Sequence, residues 1–134
     1  MTYRPEFDLD LRHGLTAERS VWRVLNMNAC KIEVKADRRY VETGNVFIEV
    51  AQRPRGADSY KPSGIHVSEA EYWAFSSGQA FTLIPRVVIA NLVAEQTRPP
   101  IDGGKTGDNP TKGYPIPLRH LIALSTQDPG STTR

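Results

Sequence analysis

The sequence predicts a small α/β domain, with a mixed central β-sheet built around a β-hairpin over residues 31–51 and flanked by helices. Three observations carry this. Residues 31–37 alternate strictly, with Ile32, Val34 and Ala36 on one face and Lys31, Glu33, Lys35 and Asp37 on the other. Residues 46–51 alternate as well, Val46, Ile48 and Val50 against Phe47, Glu49 and Ala51, and Thr43-Gly44-Asn45 between the runs has turn chemistry. On either side, residues 17–26 and 86–95 place apolar side chains at the three- and four-residue spacing of an amphipathic helix.

Taken in order, residues 7–11 read as a short strand or extended lead-in. Thr16 is an N-cap for a helix over 17–26, in which Val21, Trp22 and Leu25 share one face. Glu18 lies on that same stripe. It either has a partner or a metal there, or sits at the stripe's edge in the first turn, where the helix dipole favours acids. The hairpin follows, with its apolar face on the core. Residues 53–64 are a loop, with Arg53, Arg55 and Lys61 among Pro54, Gly56, Pro62 and Gly64. Ser68 and Glu71 have capping-box spacing and predict a short helix over 69–73. A strand over 80–84 leads through Pro85 into the helix of 86–95, which carries Val87, Val88, Leu92 and Val93. Residues 97–116 read as a long Gly/Pro/Lys-rich loop. Pro117 starts a last helix through Leu124, so one domain spans 1–124 and a disordered tail 125–134.

Composition bounds the function. The chain has 134 residues, with 17 Lys+Arg against 15 Asp+Glu and a formal net charge of +2. One domain with one core is the natural organisation at this length. A hydrophobic fraction of 39% and a charged fraction of 24% exclude a coiled coil, a disordered tail protein and a disulfide scaffold. The single cysteine, Cys30, excludes an internal disulfide and fits a reducing compartment. No segment approaches the ~20 apolar residues of a membrane span, and no apolar stretch of a signal peptide opens the chain. A cytoplasmic location is expected.

The polar hairpin face carries the chemistry. Glu33, Lys35 and Asp37 project from the same side of one strand, and Glu49 from the same side of the next. Such charges can simply pair across a solvated face for a few tenths of a kcal/mol each. Two features favour a site instead: the preceding helix turns Glu18 toward the core, and basic loops follow directly. Parity allows a register with Asp37 opposite Glu49 and Lys35 opposite Ala51, which leaves a five-residue loop and is preferred. The other register sets Lys35 opposite Glu49. Phosphodiester cleavage needs a hard cation such as Mg²⁺ on carboxylate oxygens, which acidifies a water and polarises the phosphate. It also needs a lysine to neutralise developing charge. Asp37, Glu49 and Glu18 supply the acids and Lys35 the ammonium.

In this layout the chain resembles the PD-(D/E)XK nuclease superfamily, in which a helix glutamate precedes a hairpin with an acid and a Glu-Xaa-Lys element. Arg12-His13-Gly14 followed by Ala17-Glu18-Arg19 looks like the opening of the archaeal-type Holliday junction resolvases. Ile32-Glu-Val-Lys-Ala-Asp37, Thr43-Gly-Asn-Val-Phe-Ile-Glu49, Pro62-Ser-Gly-Ile65 and Glu69-Ala-Glu-Tyr-Trp73 are similar to small phage-encoded nucleases of that superfamily. The resemblance covers residues 12–73. It implies a restriction-endonuclease-like fold, Mg²⁺ with Mn²⁺ as substitute, a DNA substrate, duplex or branched, and a homodimer. It also implies the cytoplasm of a bacterial host if the chain is phage-encoded.

The chain departs from the pattern in having no Pro-Asp pair and in carrying Ala51 where the lysine after Glu49 belongs. Two assignments remain. In the preferred one, Asp37 and Glu49 are the acids and Lys35 replaces the missing lysine from the neighbouring strand. In the other, Glu33-Val-Lys35 is itself the Glu-Xaa-Lys element and the first acid is Asp8 or Asp10. Arg12, Arg38, Arg39, Arg53, Arg55 and Lys61 are the candidate phosphate contacts. Ala51 also leaves open a degenerate DNA-binding accessory protein, and nothing in the sequence separates DNA from RNA as the target. If Glu18, Glu33, Asp37, Glu49 and Lys35 form the site, the remainder carries 16 basic against 11 acidic side chains.

Other motifs yield less. Gly104-Lys105-Thr106 has the end of a phosphate loop, but residue 99 is Pro where its first Gly belongs, so a nucleotide cofactor is not expected. His13, His66, His120 and Cys30 have no zinc spacing. Ser63 lacks the Gly-x-Ser-x-Gly context of a nucleophile and reads as a turn serine. Trp22, Tyr72, Trp73 and Tyr114 read as packing aromatics.

Overall fold

The computed structural model describes Arg19 and residues 31–36, 39–106 and 109–126, with the backbone alone at Arg39 and 104–106. The chain divides into two compact units, residues 1–30 and 31–134. In the first, Arg19 is helical and exposed. The expectations for the strand at 7–11, the remainder of the 17–26 helix, Trp22, Glu18 and Arg12 fall outside the described residues, as do Asp37, Arg38 and the tail from 127.

The second unit is α/β, with two sheets and three short helices. Its elements are β1 (Ile32–Ala36), α1 (Arg39–Thr43), β2 (Asn45–Gln52), β3 (Lys61–Pro62), a 3₁₀ turn (Gly64–His66), β4 (Tyr72–Ser76), β5 (Phe81–Pro85), α2 (Arg86–Ala94), β6 (Ile101–Thr106), β7 (Asn109–Pro117) and α3 (Leu118–Ser125). A three-stranded mixed sheet has the order β1-β4-β5, and a four-stranded antiparallel sheet the order β3-β2-β7-β6.

Both predicted strands of the 31–51 hairpin form, but they do not pair. β1 runs parallel to β4, with Glu33 opposite Trp73 and Lys35 opposite Phe75. β2 lies antiparallel between β3 and β7, with Glu49 opposite Gly113 and Ala51 opposite Lys112. The expected pairing of Lys35 with Ala51 is therefore absent. The reason lies in the intervening segment. Residues 39–43 close a helical turn, and Gly44, at φ +75°, donates its N–H to Tyr40 O at 2.8 Å. The Thr-Gly-Asn signal thus ends a helix in the left-handed conformation instead of closing a hairpin. Thr43 Oγ1 accepts from Asn45 N at 3.1 Å and starts β2.

β1 also presents the opposite face to the one expected. Glu33 and Lys35 are half-buried, while Ile32, Val34 and Ala36 are exposed. The charged pair finds partners at β4 that water would otherwise have to supply, as described below.

The predicted helix at 69–73 is absent. Ser68 Oγ does accept a local N–H, from Ala70 at 3.3 Å, but Tyr72-Trp-Ala-Phe-Ser76 is a strand whose aromatic residues suit a pleated, buried surface. It turns through Ser77–Ala80 into β5, close to the expected 80–84 strand. Helices α2 and α3 each begin directly after a proline of extended backbone, Pro85 and Pro117. Their bounds match the expected 86–95 and 117–124, although Val87 is exposed and Ile89 takes the fully buried place.

The expected loop over 97–116 is instead the β6–β7 hairpin, and β3 adds two paired residues to the expected 53–64 loop. Two glycines in β6 and three prolines in β7 hide this hairpin from hydropathy patterning. β6 pairs with β7 only from Asn109 as far as Gly113, so Pro115 and Pro117 interrupt no ladder on that side, while Pro110 sits near the turn end of the hairpin opposite Lys105.

One core joins both sheets. Val46, Ile48 and Val50 of β2 pack with Trp73 and Phe75 of β4, Ile84 of β5, and Ile89, Leu92 and Leu121 of the helices. Ile48 is 0% exposed and Val34 66%. Ile48→Ala is expected to cost about 2–5 kcal/mol, and Val34→Ala to stay within about 0.5 kcal/mol, both read from urea midpoints. An equal loss at Val34 would contradict the separation of β1 from the core.

Candidate functional site

β2 alternates through the molecule: Val46, Ile48 and Val50 face the core, and Phe47 and Glu49 face a cleft of about 590 Å³. Lys35 on β1 lines the same cleft, with Asp102 and Gly103 of β6 and Thr111 of β7. Lys35 and Glu49 thus come together in one cleft although their strands belong to different sheets.

The backbone at Glu49 is held between glycines. A Cβ on Gly64, which sits at φ +56°, would lie 2.1 Å from Glu49 O. A Cβ on Gly113 would lie 2.2 Å from Ile48 O, and one on Gly103 2.3 Å from the Phe47 ring. No side chain fits at these three positions. Ser63 N donates to Val50 O at 3.0 Å and fixes the Pro62–Ile65 segment along β2.

A bulge interrupts β2 just after Glu49, where Val50 has no partner across from it on β7. Glu49 pairs with Gly113, yet Ala51 pairs with the adjacent residue, Lys112. Ala51 consequently packs against the core and does not share the face of Glu49. Residue 51 is therefore not a position from which a lysine would reach the cleft.

Lys35 is held by a network. Its ammonium pairs with Glu33 and lies 4.5 Å from the centroid of the Trp73 ring. The Ser68 hydroxyl donates to Glu33 Oε2 at 2.7 Å and accepts from Trp73 Nε1 at 3.0 Å. Trp73 is fully buried, so this is the one acceptor its indole N–H takes. Burial, the largest influence on Glu33, raises its pKa. The hydrogen bonds from Lys35 and Ser68 and the charge of Lys35 together outweigh burial and hold the carboxyl below its usual range.

Among the described residues, the Glu49 carboxylate takes no ion pair and no hydrogen bond. No group of three His, Cys, Asp or Glu gathers among the described residues. Mg²⁺ requires only one or two carboxylates and keeps several waters, so Glu49, with Asp102 at the rim, fits a hard cation by donor chemistry.

The other expected residues distribute as follows. Arg39 opens α1, Lys61 is exposed on β3 opposite Gln52, and Arg55 is exposed in the loop. Arg53 is exposed and stands over the Tyr60 ring. Sequence patterning missed Asp102, Thr111, Ser68 and the steric role of Gly64. The Ser68-to-Trp73 spacing in a strand-forming aromatic run was the available signal for one of them. Comparison with protein-family models, with curated proteins and with solved structures returned no match.

Gly64→Ala is expected to displace Glu49 and lower stability, because the added methyl meets backbone atoms that cannot move independently. Thermal unfolding and the Glu49 amide resonance read both effects. Ser68→Ala leaves the Trp73 N–H unpaired at a cost of about 1–3 kcal/mol. It should also raise the Glu33 titration midpoint in a carboxyl NMR titration. Glu33's stabilising contribution is present above the ordinary glutamate pKa and is lost as pH falls through the lowered native value, so Ser68→Ala should narrow this acid-range dependence.

Proposed function

We propose that the chain is a Mg²⁺-dependent DNA endonuclease of the PD-(D/E)XK type, acting on duplex or branched DNA, with a restriction-endonuclease-like core and a homodimeric form. The observation that carries this is the cleft shared by Glu49 and Lys35: an uncommitted carboxylate and a pre-oriented ammonium on separate strands.

In this proposal Glu49, with Asp102, would hold the cation; Asp37 and Glu18 remain the candidates that the sequence adds. When bound, Mg²⁺ (or Mn²⁺) supplies Lewis acidity toward the phosphate and acidifies a water. Lys35 stabilises negative charge developing on the phosphate oxygens. Glu33, its carboxyl held below the usual range, pairs with the Lys35 ammonium, which the Trp73 ring also holds. This favours a mixture of the two sequence assignments: Lys35 serves as the lysine, Glu33 positions it, and Glu49 is the metal acid. The bulge removes Ala51 as an objection, since that position faces the core. Arg12, Arg38, Arg39, Arg53, Arg55 and Lys61 are the proposed DNA contacts. No helix among the described residues is long and apolar enough to cross a membrane.

Four-way junction, linear duplex, single-stranded DNA and RNA, each incubated with Mg²⁺ or EDTA, test the activity. Cleavage of DNA with Mg²⁺ alone is expected. Glu49→Ala, Lys35→Ala and Asp37→Ala should each abolish it and leave DNA binding largely intact. Full activity in Glu49→Ala would remove the site. Binding without cleavage of any substrate would identify a DNA-binding accessory protein, and cleavage confined to RNA would reassign the substrate.

A further inference from the structure

The cleft does not use a second feature at the far end of β2. Arg53 Cζ lies 5.9 Å and Lys112 Nζ 4.6 Å from the centroid of one ring, that of half-buried Tyr60. A tyrosine ring attracts each cation through the negative face of its π-system. It also gathers two like charges that repel each other. Among the described residues neither cation has an ion-pair partner, although Asp102 stands beside Lys112 in the β6–β7 register. The arrangement is built: Arg53 N donates to Pro110 O at 3.0 Å, and Lys61, next to Tyr60, pairs with Gln52. An anion placed between the two cations relieves their repulsion without moving either.

The bulge decides where this patch lies. Glu49 lines the cleft, whereas Ala51, beyond the bulge, packs against the core, and Tyr60, Arg53 and Lys112 are not among the residues that line the cleft. The patch therefore lies beyond the bulge, outside the set of residues that lines the Glu49 cleft.

We propose that Tyr60, Arg53 and Lys112 form a contact for a nucleic-acid backbone phosphate, distinct from the phosphate at the cleft. The choice of nucleic acid rests on the function proposed above. The ring is committed to its two cations, so the contact reads the backbone and carries no base specificity. Arg55 and Lys61 on the same segment extend the positive surface; Asp58 is the one acid within residues 53–61, and Asp102 stands across from Lys112.

Binding of a labelled DNA duplex, followed by anisotropy in EDTA from 50 to 200 mM salt, tests this without cleavage. Lys112→Gln and Arg53→Gln should each lower the log–log salt slope by about 1. The ratio of variant to wild-type Kd should then shrink by about 3.5-fold across that range. Tyr60→Ala should weaken binding and Tyr60→Phe restore it, which separates the ring's role from the hydroxyl. Lys31→Gln, at an exposed lysine paired with Glu69, should leave the slope unchanged. An unchanged slope in Lys112→Gln, an equal drop in Lys31→Gln, or equally tight binding of poly-glutamate would overturn the proposal. Absence of any DNA binding by the wild-type chain would overturn it as well. If the slopes change as expected while Mg²⁺ cleaves nothing, the phosphate contact stands and the nuclease function fails.

Discussion

The close approach of three backbones at Glu49 is the constraint on which the site depends. Gly64 on one side and Gly113 on the other leave no room for a side chain against Ile48 and Glu49. This contact locks β2 between β3 and β7 while its alternate residues, Val46, Ile48 and Val50, enter the core. Because the core fixes one face of the strand, the other face is fixed as well, and Glu49 is turned to the cleft. The carboxylate's placement thus follows from packing at residues that never touch a ligand.

Lys35 is placed by a different means. Among the described residues its strand lies at the edge of its sheet with exposed aliphatic residues, so the core does little to hold it. The holding comes from polar contacts: Glu33, the Trp73 ring, and the Ser68 hydroxyl that links the two. Such a network restrains the long stem of Lys35 beside the cleft that the residue lines. A carboxylate on a strand fixed by the core thus lines one cleft with a lysine restrained by polar contacts.

Much of this was legible in the sequence, and what was not has identifiable causes. The two alternating runs give the strands Ile32–Ala36 and Asn45–Gln52, and the helices after Pro85 and Pro117 stand where patterning puts them. Alternation reports the pleat but not the partner, and a short helix capped by Gly44 was enough to send β1 and β2 to different sheets. Face assignment failed at β1 because the charged residues there find partners on β4, which single-strand hydropathy cannot register. The β6–β7 hairpin was invisible since Gly103, Gly113 and Pro115 are chosen for close packing against Phe47 and β2, at the cost of any hydrophobic pattern. At the site, Lys35, Glu33 and Glu49 were legible from charge on alternating strands, whereas Asp102 and Ser68 depend on tertiary placement.

A cation held by Glu49 would sit in the cleft that Lys35 also lines. Paramagnetic broadening of amide resonances by substoichiometric Mn²⁺ would locate it. Broadening is expected first at Glu49, Gly113 and Asp102, with Lys35 close behind, and Glu49→Gln should remove it. Broadening centred on other carboxylates, or unchanged in Glu49→Gln, would contradict the account.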